Sequence, residues 1–224
     1  MNKKDIAVAL VDDHSLFLEG LSSVLTGVPG IKIILKAVNG QDLITKLKDK
    51  KPQVVLMDLQ MPIMDGIKAT EHLRKHRPEI KVLGISMLIE RRFIIEMIKA
   101  GAHGYLSKNT SADELRIAIV NVEEQGYHVN KNLTKAMYKG WSTQRTSKSE
   151  PVGITFSVRE DQIIEMLCKQ MTTANMAKRL KLSPRTVENY RQRLIEKTGV
   201  KNMAGLVMYA VVNGLVQLDL ELKH

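Results

Sequence analysis

The chain has 224 residues, 44% of them hydrophobic, which is enough for a real core and favours two compact domains over one. No stretch approaches the ~20 consecutive apolar residues of a membrane span. The opening M-N-K-K-D runs into a strand pattern rather than a signal peptide, and the lone Cys168 excludes an internal disulfide or a cysteine-based zinc site, so a reducing cytoplasm is the expected location. The net charge of +10 is uneven: residues 1–128 hold 18 Lys and Arg against 16 Asp and Glu, for +2, whereas residues 129–224 hold 16 against 8, for +8. A basic excess in the smaller C-terminal part points to a nucleic-acid partner, with a positive surface kept for solubility as the alternative.

Taken in order, residues 1–128 alternate apolar runs with helical patterns. The runs are Ile6–Val11, Ile31–Ala37, Val54–Met57, Val82–Ile85 and Gly104–Leu106; the helical patterns lie near 15–26, 40–50, 64–76, 89–100 and 112–125. Turn signals separate them at Pro29-Gly30, Asn39-Gly40, Pro52, Pro78 and Gly101. Five such units predict a doubly wound, five-stranded parallel sheet, because parallel strands need crossover helices. Residues 129–153 change character. Some helical spacing persists as far as Trp141, and the Ser-, Thr- and Lys-rich 142–153 reads as a flexible polar linker. Residues 154–224 read as a smaller all-α domain of four helices. Ser157 and Glu160 form a capping box for the first, and a short second helix spans about Thr173–Leu180. Lys181-Leu182 turn, Ser183 and Pro184 start a third helix that runs over Arg185–Thr198 to Gly199, and a fourth covers about Ala204–Asn213.

The residues at the strand ends carry the chemistry. Asp58 follows the run Val54–Met57, which reads as a strand buried on both faces, and Asp12-Asp13 follow Ile6–Val11. If those strands are neighbours, three carboxylates meet at the edge where open α/β sheets bind ligands. Such a cluster repels itself unless it holds a cation, and oxygen ligands suit Mg2+. Ser86 and Lys108 follow two further strands and offer a hydroxyl and an ammonium. The ordered set describes a phosphoryl site: carboxylates for Mg2+, Asp58 as the nucleophile that becomes an acyl phosphate, and Lys108 and Ser86 on the phosphoryl oxygens.

V-D-D-H at 11–14, M-D-L-Q-M-P-I-M-D-G at 57–66, I-S at 85–86 and G-Y-L-S-K at 104–108 resemble the receiver domain of two-component response regulators. The resemblance implies phosphoryl transfer from a sensor histidine kinase to Asp58. It also implies Mg2+ held by Asp13, Asp58 and the backbone carbonyl of Gln60, with Asp12 assisting through water, and a switch pair in which Ser86 moves toward the phosphoryl group and Tyr105 follows inward. Met87, where the family often has a small residue, and Asn109, where proline is frequent after the lysine, depart from the pattern.

In the C-terminal part, two helices joined by a short turn, the second basic, read as a helix-turn-helix. On the third helix Val187, Tyr190 and Leu194 share an inward face, while Glu188, Asn189, Gln192 and Arg193 lie away from it and are placed to enter a major groove. Lys178, Arg179, Arg185, Arg191 and Lys197 are expected to meet phosphates. F-S-V-R-E at 156–160, M-A-K-R-L at 176–180, L-S-P-R-T-V-E-N-Y at 182–190 and N-G-L-V at 213–216 resemble the LuxR-type module. Thr186 and Val187 match its T-V at the start of the reading helix and join the DNA-contacting set, while Glu188 and Tyr190 depart where basic residues and histidine are frequent. The whole chain resembles a NarL/FixJ-type response regulator: receiver 1–128, linker 129–153, DNA-binding domain 154–224. The expectation is a cytoplasmic regulator that forms a homodimer when phosphorylated and binds paired half-sites on double-stranded DNA. The alternatives are a regulator that binds DNA without phosphorylation, a pure interaction module whose basic face binds an acidic protein, and a separate phosphotransferase or phosphatase. Gln60, where such a hydrolase would want an acid, argues against the last.

Overall fold

In the computed structural model, residues 5–88, 90–129 and 154–216 are described; the expected linker, Trp141 and the last eight residues lie outside them. The chain divides into two compact units, residues 1–128 and 129–224. The first has strands β1 (Ile6–Val11), β2 (Ile31–Ala37), β3 (Val54–Met57), β4 (Lys81–Ser86) and β5 (Gly104–Ser107), alternating with helices α1 (Ser15–Leu25), α2 (Gly40–Lys46), α3 (Gly66–His76), α4 (Arg91–Ala100) and α5 (Ala112–Gln125). The strands form one parallel sheet in the order β2-β1-β3-β4-β5, so β3, buried at every residue, is central and β1 lies beside it.

The pattern of the strands explains the layers. Val8 and Leu10 of β1, Val54 and Leu56 of β3, and Leu83 and Ile85 of β4 pack on one face against Leu18, Leu21 and Leu25 of α1 and Leu115, Ile119 and Val122 of α5. Residues one step out of phase, such as Val55 and Met57, are equally buried, and α3 packs between α2 and α4 on that other face. Helix starts follow side-chain capping: Asn39, Asp65 and Ser111 accept from the backbone N–H of Asp42, Lys68 and Glu114. Two starts fall later than expected: the Asp65 cap puts the first turn of α3 at Gly66, and α4 begins at Arg91 after Glu90, whose side chain makes no capping bond. Helix α2 stops at Lys46 rather than near 50, where Lys48 and Asp49 make tighter bonds to Thr45 and Lys46 ahead of Pro52.

The second unit contains α6 (Val158–Cys168), α7 (Thr173–Leu180), α8 (Pro184–Thr198) and α9 (Met203–Val212). The Ser157–Glu160 capping box forms as expected, and Asn202 caps α9 by accepting from Gly205 N–H. Helix α9 packs on α6 and α8, and α7 packs on α8, around Ile163, Leu167, Met176, Val187, Leu194, Leu206 and Ala210. Lys181 closes α7 in the left-handed region at φ 54, which turns the chain into α8. Among the described residues, no helix is long and apolar enough to cross a membrane.

Candidate functional site

Strands β1 and β3 run in parallel register with Val11 opposite Met57, and Asp58 N–H donates to the Val11 carbonyl at 2.9 Å. The residues after each strand therefore meet. Asp12 and Asp58 are 1% and 3% exposed, while Asp13 stays solvent-accessible. Strand β5 brings Lys108 alongside: its N–H donates to the Ser86 carbonyl, and Nζ lies 2.6 Å from Asp12 Oδ2 and 3.3 Å from Asp58 Oδ2. The ammonium is nearly enclosed and sits 4.6 Å from the ring centre of Phe17, the apolar wall behind it. Burial, then the Asp12 charge, push the Asp58 carboxyl up to about 6 against the opposing pull of Lys108 and the Leu59 N–H.

The cluster fits a hard divalent cation. Asp12, Asp13, Asp58 and His14 each offer an atom within 4.8 Å of the others, and two buried acids with one lysine between them leave negative charge to be balanced. Gln60 lines an open cleft of about 420 Å³ together with Asp13, Leu59, Met61, Asp65, Ile67 and Phe93. His14 was not singled out by the sequence reading. Its Nδ1 lies 3.0 Å from Asp13 and 3.2 Å from Asp12, and its backbone N–H donates to Asp12 Oδ1. The signal was present as the third residue of the D-D-H run.

Ser86 and Tyr105 meet at one residue, Leu88. Leu88 N–H donates to Ser86 Oγ at 3.2 Å, and the Tyr105 hydroxyl donates to the Leu88 carbonyl. Tyr105 is turned inward and buried, which pushes its phenol up to about 12. Gly84, paired with Tyr105 across β4 and β5, makes the room: a Cβ there would stand 2.9 Å from the tyrosine ring. Met87 is exposed and is not among the residues lining the cleft. A second glycine is more demanding. A Cβ on Gly66 would stand 1.9 Å from the Asp58 carbonyl oxygen, so the turn residue read from Asp65-Gly66 is also the close approach of α3 to the Asp58 peptide.

In the second unit, Ser183 accepts from Thr186 N–H at 3.0 Å to start α8. Lys178, Arg179, Arg185, Asn189, Gln192 and Arg193 are exposed, and Thr186 is half-buried against the cap. Four expectations change. Val187 is wholly buried, so its side chain leaves the DNA-contacting set; the inward half of its reading holds. Arg191, expected on phosphates, is 6% exposed and binds Thr173, Glu188 and the Met203 sulfur. It takes the core position expected of Tyr190, which is only half-buried; the spacing Val187, Arg191, Leu194 carried that signal. Lys197 is engaged by Glu160 at 2.8 Å and by the Phe156 ring. Glu188 keeps its expected exposed place, with Arg191 and Thr173 holding one of its oxygens.

The family model for the response regulator receiver domain matches residues 8–120, and that for bacterial regulatory proteins of the luxR family matches residues 155–210. The chain is 32% identical over 216 residues to the response regulator GacA of Pseudomonas protegens, covering 96% of this chain and 100% of GacA. It is 30% identical over 219 residues to the transcriptional regulatory protein YxjL of Bacillus subtilis, covering 97% and 100%. The RcsB response regulator of Salmonella typhimurium, 20% identical, superposes with a TM-score of 0.60 over 93% of this chain and 98% of RcsB, which is a likeness of fold.

Proposed function

The chain belongs to the response regulators that join a receiver domain to a luxR-family DNA-binding domain, and from that premise we propose that Asp58 is its phosphoacceptor and that phosphorylation controls DNA binding. The observation that carries the reading is the meeting of Asp12, Asp58 and Lys108 in one enclosed cluster at the end of the central strand. A carboxylate oxygen of Asp58 attacks the phosphorus of a phosphohistidine on a sensor kinase. The P–N bond breaks, the P–O bond of an acyl phosphate forms, and the imidazole leaves. Lys108 exchanges its carboxylate contact for the new phosphoryl oxygens, and the Ser86 hydroxyl donates to another. Asp13, Asp58 and the Gln60 backbone carbonyl would hold Mg2+, with Asp12 assisting, and the ion would supply positive charge to the phosphoryl oxygens. The only chemistry assigned to the receiver is transfer to Asp58 and the hydrolysis that resets it.

Once Ser86 Oγ turns to the phosphoryl group, its bond to Leu88 N–H is lost, and Leu88, whose carbonyl Tyr105 holds, carries the change to the segment between β4 and α4. The two-state receiver then favours a homodimer whose DNA-binding units take paired half-sites about one helical turn apart or a multiple of it. Arg185, Lys178 and Arg179 hold phosphates; Thr186, Asn189, Gln192 and Arg193 face the groove. The setting is the cytoplasm, the receiver is residues 1–128, and 129–153 join it to the DNA-binding domain 154–224. The test is intact mass in Mg2+ with acetyl phosphate, followed by molecular mass in solution: wild type gains one phosphoryl group and moves toward the dimer, and Asp58→Ala does neither. An unmodified wild type overturns the reading. One observation favours the second reading, DNA binding without phosphorylation: Tyr105 is already inward and hydrogen-bonded. Equal DNA affinity of wild type and Asp58→Ala with the phosphodonor present would establish it.

A further inference from the structure

The second turn of α8 holds an acid where a DNA-facing helix gains least from one. Glu188 shares the exposed side of α8 with Arg185, Asn189 and Gln192, and its side chain is 54% exposed. Facing a polyanion, a free carboxylate is repelled. This one is not free. Its Oε1 accepts from the Thr173 hydroxyl at 2.6 Å and from Arg191 Nη1 at 2.7 Å, and the same Nη1 donates to Thr173 Oγ1 at 2.7 Å. The three side chains close a triangle anchored in the core, because Arg191 is 6% exposed and its Nε reaches the Met203 sulfur at 3.3 Å. Arg191 therefore neutralises Glu188 from beneath. Thr173, the first residue of the preceding helix, fixes its rotamer, and both bonds that Glu188 accepts in the triangle fall on Oε1, leaving Oε2 outside it.

We propose that Glu188 is a specificity-determining residue that reads cytosine at one position of each half-site, with Arg191 and Thr173 as its positioning residues. The inference rests on the DNA-binding reading above and deepens it. A carboxylate can only accept. In the major groove guanine offers the acceptors N7 and O6, and thymine offers O4 and a methyl group, so both repel or fail to satisfy it. Adenine offers the N6 donor with the N7 acceptor beside it, which opposes a second carboxylate oxygen. Cytosine offers the N4 donor without an adjacent acceptor of its own, so it alone suits a fixed carboxylate. The N-terminal turns of a recognition helix are also the part that reaches base edges.

The experiment is selection from randomised double-stranded DNA by the full chain, with Mg2+ and acetyl phosphate, for wild type, Glu188→Gln and Glu188→Ala, with unfolding curves for each. Wild type enriches cytosine at one position per half-site, by about five- to a hundred-fold over other bases. Glu188→Ala loses the preference at that position and keeps the others. Glu188→Gln preserves an acceptor for Arg191 and Thr173, so it folds if any variant does; its added donor takes the place of the outer acceptor, so cytosine loses its advantage there and bases that present acceptors are admitted. A wild-type site whose base preferences are unchanged in both variants, with affinity lowered equally for all sequences, makes the triangle a structural clamp and overturns the inference alone. A folded wild type that enriches no sequence overturns it together with the DNA-binding reading.

Discussion

Asp58 is a charge that the metal-free fold holds at a cost, and removing that charge should stabilise the receiver. Burial and Asp12 move its carboxyl from 3.8 to about 6 despite Lys108 at 3.3 Å. A displacement of that size corresponds to about 3 kcal/mol between the protonated and ionised forms. Because the folded value lies above the unfolded one, the contribution of Asp58 to stability is fully present below about pH 4 and is lost as pH rises through about 6. In EDTA at pH 8, Asp58→Asn should therefore be more stable than wild type by about 2–3 kcal/mol, and at pH 4 the two should coincide. With a urea slope of about 2 kcal/mol per molar, the receiver's unfolding midpoint rises by about 1 M at pH 8. Circular dichroism of the full chain, fitted to separate transitions for the two units, reads this directly. Added Mg2+ should raise the wild-type midpoint and leave Asp58→Asn nearly unmoved, since a cation bound only by the folded state stabilises it. An Asp58→Asn midpoint at or below wild type in EDTA at pH 8 would refute the argument that the carboxylates are uncompensated.

Gly66→Ala places a methyl where the Asp58 carbonyl stands, 1.9 Å away, so acetyl phosphate labelling of Asp58 should fall sharply and the receiver should lose at least about 2 kcal/mol in urea unfolding. Ile63 is a β-branched residue at φ 68 and is 84% exposed, so its backbone is strained and its side chain buries little. Ile63→Asn should stabilise the receiver by about 1 kcal/mol in the same assay, since asparagine tolerates the left-handed region. Arg185→Ala and Lys178→Ala should each weaken binding to all DNA sequences alike and reduce the slope of log affinity against log salt by about 1, as measured by anisotropy titrations at several salt concentrations.

The runs of β1, β3 and β4 were legible because central parallel strands are apolar on both faces, and the ends of the strands named Asp12, Asp58, Ser86 and Lys108. Helix limits were less legible at Asp65 and Glu90, which hold the N-cap position rather than the first turn. In the second unit, residue type misled: Arg191 reads as a surface cation, but its place one turn after Val187 puts its stem in the core and its charge against Glu188. The clash at Gly66 depends on how the eight-residue loop from Asp58 folds back, and the seat of Tyr105 on Gly84 joins neighbouring strands, so no helix or strand period announces either.

The central claim, that phosphorylation of Asp58 governs DNA binding, is tested most directly by the affinity of the full chain for its selected DNA site, in Mg2+ with and without acetyl phosphate, for wild type and Asp58→Ala. The account predicts a rise of roughly ten-fold or more in wild type with the phosphodonor, within the range of coupling between two sites, and no change in Asp58→Ala. The same affinity in all four samples would contradict it.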